Sequence, residues 1–540
     1  MFSSEDEDQE LICYNGRVHS LVPGLEGATV LASRGQELVY VGPDRAAAES
    51  LLSARARRID LAGATVLPGL IDGHAHIISE GLRLGELDVH HLGKEELLGL
   101  VGREAAGLPP GQWVKGYGWN QELWPGRAWP DKKELDSVAP ANPVVLDRMD
   151  KHSAWANSLA LKLSGLDESS PDPPGGQIGR NPDGSLSGLL VGAAMFPVWN
   201  ALPNQDPERR YQALLRAQEE MLSFGLTSVM EAGALVSDLA LMRRGYESGR
   251  FGLRVRAMLL AGREQDRIYL ESGGRRQRGL YGQRLSVDGV KIHSDGSLGS
   301  RSAWLLDDYA DRPGLRGQHT YSDEELAVIV ERANEHDLGL SVHAIGDGAV
   351  HQILDIMEAA LKRRPRPDHR WRIEHFQVLA EGDLERALKL GVVASLQTVG
   401  LMSDMDMAED RLGSERLKRS YLWRGIIDRG GVIVNGSDGP VESVNPFLGL
   451  YAAVSRRNLE GRPAGGWLPE QKAGREEALK SYTAWSAWSE FNEARKGTLA
   501  AGRLADYVVV DRDPLSCPED EIKDTRVMMT ILGGRVAFER

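Results

Sequence analysis

The sequence predicts an α/β protein built on a (β/α)8 TIM barrel, and three observations carry that expectation. From about residue 205 to 460, short and nearly continuous apolar runs alternate with longer amphipathic stretches, the pattern of strands covered on both faces by helices. With one further run near the N-terminus they number eight over some 300 residues, which fits a closed barrel better than an open sheet. Ionisable residues recur just past the ends of these runs, where barrel active sites gather.

In chain order, residues 1–64 read as short strands and turns. LICYNGRVHSL carries Asn15-Gly16, a hairpin-turn dipeptide between apolar runs, and ELVYVGP and ATVLPG follow. The first barrel strand is expected at 65–71. About 125 residues then intervene, far more than a barrel crossover needs. This stretch, 81–204, holds six of the twelve tryptophans, among them Trp113, Trp119, Trp124, Trp129 and Trp155, and the Pro/Gly-rich PDPPGGQIGRNPDGSLSG. It is expected to be an inserted domain covering the barrel mouth. The remaining barrel strands are expected at 226–230, 253–260, 286–292, 339–342, 371–374, 392–396 and 432–435. DPERRYQALLRAQEEMLSF and SDEELAVIVERANEH are apolar at helical spacing and supply helices between them. Residues 495–540 return to β-branched runs, DYVVVDRDP and VMMTILGGRVAFE, which predict a small β domain shared by both termini. The barrel is thus assigned 65–80 plus 205–494, and the terminal domain 1–64 plus 495–540.

Composition narrows the function classes. The 540 residues are 26% charged and 41% hydrophobic, a packed protein rather than a disordered one. No apolar stretch of ~18 residues occurs, so no membrane span is expected. The acidic start MFSSEDEDQELICYNG lacks the basic-then-apolar pattern of a secretory signal. Cys13 and Cys517, the two cysteines, cannot build a disulfide framework, so a cytoplasmic location is expected and both read as inert. A net charge of −14 argues against nucleic acid as a partner.

Chemistry-bearing residues sit past five of the eight runs. TVLPGLIDGHAH places His74 and His76 at i and i+2, which on an extended chain point the same way. SVDGVKIHSDGSLGSR holds Lys291 among Val and Ile, and only 14 of the 64 basic residues are lysine. LSVHAIGDGA ends in His343, RWRIEHFQ in His375, and VIVNGSDGPV carries Asp438 just beyond its strand. Imidazoles and a carboxylate on one rim suit zinc and similar divalent ions. Six groups exceed the three protein ligands of a mononuclear catalytic zinc, and a pair of ions would use them. An ordinary ammonium repels a dication, so Lys291 must be neutral, distant or chemically changed.

HAH after an apolar strand, VKIHSDGSLGSR, VHAIGD, IEHFQ and GSDGPV, in this order, resemble the amidohydrolase superfamily. Within it they are similar to family 3, the branch of N-substituted formamide deformylases and exoenzyme-regulator-like proteins. The resemblance covers nearly the whole chain, including GYGWNQELWPGRAWP, RMDKHSAWANSLAL and KGTLAAGRLADYVVVDRDPL. It implies a composite β-sandwich from both termini, a barrel and an insertion after its first strand. It also implies that His74 and His76 bind one metal with Asp438 in contact, that His343 and His375 bind a second, and that Lys291 bridges them once N-carboxylated by CO2. Two Zn are implied, with Mn, Co or Fe as alternatives. Asp438 would take a proton from the attacking water and return it to the leaving nitrogen. Two residues depart from the pattern. His293 follows Lys291 where relatives carry an apolar-aromatic-Ala-Asp run, and Glu231, after LTSVM, is an alternative bridge.

The remaining residues divide between structure and substrate contact. His152, in KHSAWAN of the insertion, is a candidate substrate contact. Asp295 and Arg301 either fix the HSDGSLGSR loop or touch substrate. The tryptophan cluster reads as core of the insertion, with Trp119 the best candidate for the pocket wall. His19, His90, His91, His319, His336, His351 and His369 read as surface or capping groups. GSDG and GDG lack the spacing of a phosphate loop. The expected function is metal-dependent hydrolysis of an amide-type C–N bond, on an N-formyl or N-acyl amide, by a small-molecule enzyme that is a homodimer by default. The rivals are a ring-amidine deaminase on the same barrel and a non-catalytic ligand-binding relative.

Overall fold

The computed structural model describes residues 9–173, 175–203, 206–261 and 276–540. At its centre lie eight strands, numbered here β1 (Leu70–Ala75), β2 (Leu226–Ala234), β3 (Arg254–Leu260), β4 (Leu285–His293), β5 (Gly339–Ala344), β6 (Arg372–His375), β7 (Val393–Leu396) and β8 (Ile433–Asn435). Each pairs in parallel with its neighbours in sequence order. Hydrogen bonds just past the strand ends draw β8 onto β1: Asp438 N–H donates to the His74 carbonyl at 2.7 Å and His76 N–H to the Gly439 carbonyl at 2.8 Å. A Cβ on Gly436 would lie 2.4 Å from His74 N, so this close approach requires glycine.

Strand residues are almost all buried, β1, β5 and β7 throughout, as expected where helices cover the outside of a parallel sheet. The helix Pro207–Ser223 begins at Asp206, whose side chain accepts from Glu208 N–H, with proline at the first turn. Asp323–Glu335 starts in a capping box of Ser322 and Glu325. Both lay their apolar stripes on the barrel core.

One boundary differs from the sequence expectation. Thr65–Pro68 is not barrel. It pairs antiparallel with Tyr507–Val510 and parallel with Arg17–Val18 in the terminal domain. Pro68 lacks an N–H to continue a ladder, and a side chain at Gly69 would strike Thr227 Oγ1 at 2.4 Å, so the chain crosses there from one sheet to the next. The terminal β structure comprises a four-stranded sheet from residues 10–60 and a five-stranded sheet that mixes both termini. Leu11, Cys13, Leu31, Val66, Tyr507, Val509 and Ile531 fill the space between them, which makes a composite sandwich.

Between β1 and β2 the chain builds a six-stranded sheet, from Leu87–Asp88 to Leu186–Gly192. Trp119, Trp124 and Trp155 pack in its core. Among the described residues no helix is long and apolar enough to cross a membrane.

Candidate active site

The site grows from the C-terminal ends of β1, β4, β5, β6 and the turn after β8. His74 is buried, and its Nδ1 donates to Glu374 Oε2 at 2.6 Å. That bond turns Nε2 towards the site, 3.3 Å from Asp438 Oδ1 and 3.3 Å from Lys291 Nζ. His76 Nε2 lies 3.2 Å from the same Asp438 oxygen. Below them Asp72 accepts from His74 N–H at 3.0 Å and from Ser437 N–H and Oγ at 3.0 and 2.6 Å. This carboxylate therefore ties the HAH segment to the turn bearing Asp438.

Strand alternation alone would send His375 away from Glu374, which faces the barrel interior. His375 has φ +69° and Asp438 φ +59°, left-handed values that cost a non-glycine residue of order 1–3 kcal/mol and concentrate at functional sites. His375 therefore escapes the regular alternation of its strand, and Asp438 bends back within the turn after β8. The His375 ring centre comes within 5.4 Å of His74 and 4.4 Å of His343. Register sets His293 beside His343 across β4 and β5, and their ring centres lie 5.5 Å apart.

Electrostatics leave His343 and His375 suited to ligation, whereas Asp438 and Glu231, against the effect of burial, raise His76 to about 9. Burial drives His375 down to about 3 and His343 well below its ordinary range, so both are neutral. His343 Nε2 faces the Gly296 carbonyl at 3.2 Å, leaving Nδ1 open. Burial also lowers Lys291, whose nearest polar partner is an imidazole nitrogen. No carboxylate among the described residues forms an ion pair with it. Burial opposes ionisation of Asp438, yet His74 and His76 hold it well below the usual carboxylate range.

Two imidazole nitrogens and a carboxylate oxygen, from His74, His76 and Asp438, all lie within 4.8 Å of one another. That donor set fits a zinc-like divalent ion. His343 and His375 flank this trio without joining the same cluster of donor atoms.

The other candidate residues divide between the rim and its supports. Glu231 stands behind His76, 3.7 Å from its Nδ1, and accepts from Ile77 N–H at 2.7 Å. It braces that ring on the side opposite Asp438. Trp119 is buried in the insertion, with Nε1 donating to the Leu146 carbonyl at 2.8 Å; it does not line the pocket. Asp295 accepts three backbone N–H groups, from Trp304, Ile345 and Gly346, and holds the loops around His343. Arg301 is engaged by Asp311 at 2.7 Å. Both serve the loop, not the cavity. His369 is buried, bonded to the Leu390 carbonyl at 2.7 Å, rather than a surface group. His152 does reach the rim, 5.3 Å from the His343 ring centre.

Above the trio opens a cavity of about 880 Å³ including its mouth, lined by His152, His375, Asp438, Gln397, Asp404 and Glu442 among others. Sequence reading missed Glu374, although IEHFQ carries it beside His375. It also missed Gln397, Asp404 and Glu442, which follow β7 and β8 in stretches with no motif.

The model of the amidohydrolase family matches residues 57–538. Protein LONG AFTER FAR-RED 3 of Arabidopsis thaliana is 32% identical over 548 residues, covering 98% of this chain and 91% of that protein. The N-substituted formamide deformylase of Arthrobacter pascens is 27% identical over 560 residues, covering 98% and 99%. Among solved structures, an uncharacterized metal-dependent hydrolase from Pyrococcus horikoshii OT3 superposes with a TM-score of 0.77 at 28% identity, over 95% of this chain and 99% of that one. A match of this extent, on a barrel whose rim gathers histidines around one aspartate, places the chain in the amidohydrolase family.

Proposed function

We propose that the protein is a metal-dependent hydrolase of amide-type C–N bonds, acting on an N-formyl or N-acyl amide. The observation that carries this reading is Asp438 Oδ1, set 3.3 and 3.2 Å from the Nε2 atoms of His74 and His76 at the floor of the cavity. His74, His76 and Asp438 would hold one ion, and His343 with His375 a second. Lys291 would join them as its carbamate: its neutral amine adds to CO2, one N–C bond forms and one proton leaves, giving an anion. A divalent ion, zinc by preference, supplies Lewis acidity at a carbonyl oxygen and lowers the pKa of water towards neutrality.

The chain's own groups do the rest. Asp438, ionised at the outset, accepts a proton at a carboxylate oxygen as water adds to the carbonyl carbon. It then passes that proton to the departing nitrogen as the C–N bond breaks, yielding a carboxylate and an amine. Glu374 keeps the His74 proton on Nδ1, and the Asp72 carboxylate keeps His74 and Asp438 in register.

A single compact trio of donors also suits a one-metal deaminase of a ring amidine, which needs no carbamate. Metal content decides between them: about two ions per chain with carboxylated Lys291 supports the amidase, about one with a free amine the deaminase. Protein reconstituted with Zn, Mn or Co and offered N-formyl and N-acyl amines should release amine, and Asp438→Asn should stop release while metal stays bound. Metal content near zero and no turnover with any ion would favour a ligand-binding relative.

A further inference from the structure

Five carboxylates line the cavity, and three of them are accounted for. Asp438 belongs to the metal trio. Asp150 is paired with Arg148 at 2.7 Å, and Glu122 is paired with Arg411. Arg148, a lining cation, is itself used up: Nε donates to Gln121 at 2.9 Å and one terminal nitrogen to Asn120 at 3.1 Å, beside its bond to Asp150.

Asp404 and Glu442 are different. Asp404 Oδ2 accepts from Gln377 Nε2 and Tyr421 Oη, each at 3.0 Å. Glu442 Oε1 accepts from Ser403 Oγ at 2.7 Å. Every one of these donors is neutral, and no lysine or arginine among the described residues forms an ion pair with either acid. Burial pushes Asp404 up to about 7, with Glu442 adding to the shift and Arg148 opposing it, and burial raises Glu442 as well, against His90.

A second, independent observation lies in the same wall. Gln397, just past β7, has both carboxamide atoms shut off from solvent, and neither has a hydrogen-bond partner. It lines the cavity together with Asp404, Glu442 and Asp438. A buried donor and acceptor left unpaired cost about 1–3 kcal/mol each unless something fills them. A ligand amide offers the matching acceptor and donor.

We infer that the substrate is the N-acyl derivative of an amine bearing a second, cationic amino group, with that ammonium received by Asp404 and Glu442 and the amide hydrogen-bonded by Gln397. This rests on the amide-hydrolase reading and names its substrate class. The uncleaved end supplies the charge these acids lack, while the scissile end lies towards Asp438.

The test uses mono-N-formyl derivatives of linear diamines with three to six carbons, against N-formyl alkylamines of equal length, on metal-reconstituted full-length protein. Both kcat/KM and calorimetric affinity are read. The cationic series should be preferred at least tenfold at its best length. That preference should fall towards unity in Asp404→Asn and in Glu442→Gln; the second keeps its bond to Ser403 and serves if the first does not fold. Gln397→Leu should raise KM for both series without altering the preference. Equal or reversed preference in the wild type, a preference that survives both acid substitutions, or no binding of either series at millimolar concentration would overturn the inference. Charge-selective binding without turnover would keep it and remove the hydrolase reading, whereas turnover without charge preference would do the reverse.

Discussion

The two sides of the cavity hold their carboxylates in opposite ways. On the histidine side Glu374 meets His74 at 2.6 Å and Arg372 at 2.9 Å, and Asp438 meets two imidazoles. On the far side Asp404 and Glu442 accept, among the described residues, from hydroxyls and an amide. A buried acid with charged or imidazole partners stays ionised and fixed in place, and one with neutral partners is drawn towards its protonated form. The acids of the first wall find their partners within the fold. The second leaves charge and hydrogen bonds for a ligand to satisfy.

Substitutions on each side should break this contrast in different currencies. The largest effect is expected at Asp438→Asn, which should lower turnover by about 10²–10⁴-fold with metal content kept, measured by steady-state kinetics and elemental analysis. Near-normal turnover would remove it as the proton carrier. Glu374→Gln should weaken metal affinity by about 10–100-fold, read by competition with a chelator, because the His74 proton loses its charged acceptor. Unchanged affinity would reduce Glu374 to a counter-ion of Arg372.

On the far side the signature is pH. Asp404 is raised in the fold, so the native protein binds more protons than the unfolded chain between the ordinary carboxylate range and about 7. Its contribution therefore destabilises the fold progressively as pH rises through that window. Burial sets the shift, Tyr421 and Arg148 oppose it, Glu442 and Asp150 add to it, and Gln377 faces the same carboxylate. Asp404→Asn should flatten the pH dependence of thermal stability between pH 4 and 7. An unaltered slope would show that Asp404 is already paired.

The smallest effect is expected far from both walls. Cys13 is buried in the terminal sandwich beside Tyr507 and Cys517 is half-buried. Cys13→Ser with Cys517→Ser should leave activity within about twofold once folded, with any cost confined to about 1 kcal/mol of stability. Lost activity in folded protein would tie the sandwich to the site.

Much of the barrel was legible because its signals are local. Apolar runs, the Asp206 and Ser322 caps and the stripe of Pro207–Ser223 depend on a few adjacent residues. The histidines could be found because each follows a recognisable strand. Trp119 misled because a tryptophan in a Trp-rich insertion fits a core and a pocket wall equally well until its Nε1 partner is known. Gln397 and Glu442 were invisible because nothing in their neighbouring sequence marks a carboxamide or a carboxylate as unpaired. That property belongs to everything packed around them.

By itself the sequence determined the order of the eight strands and the chemical kinds of group at their ends, since both are properties of short segments. Only the tertiary structure decided which groups meet. The left-handed backbone at His375 overrides strand alternation, and the register of a sheet curled back on itself brings His74 and Glu374, 300 positions apart, within a hydrogen bond. Closure is a cooperative outcome of the whole barrel, and no single segment encodes it.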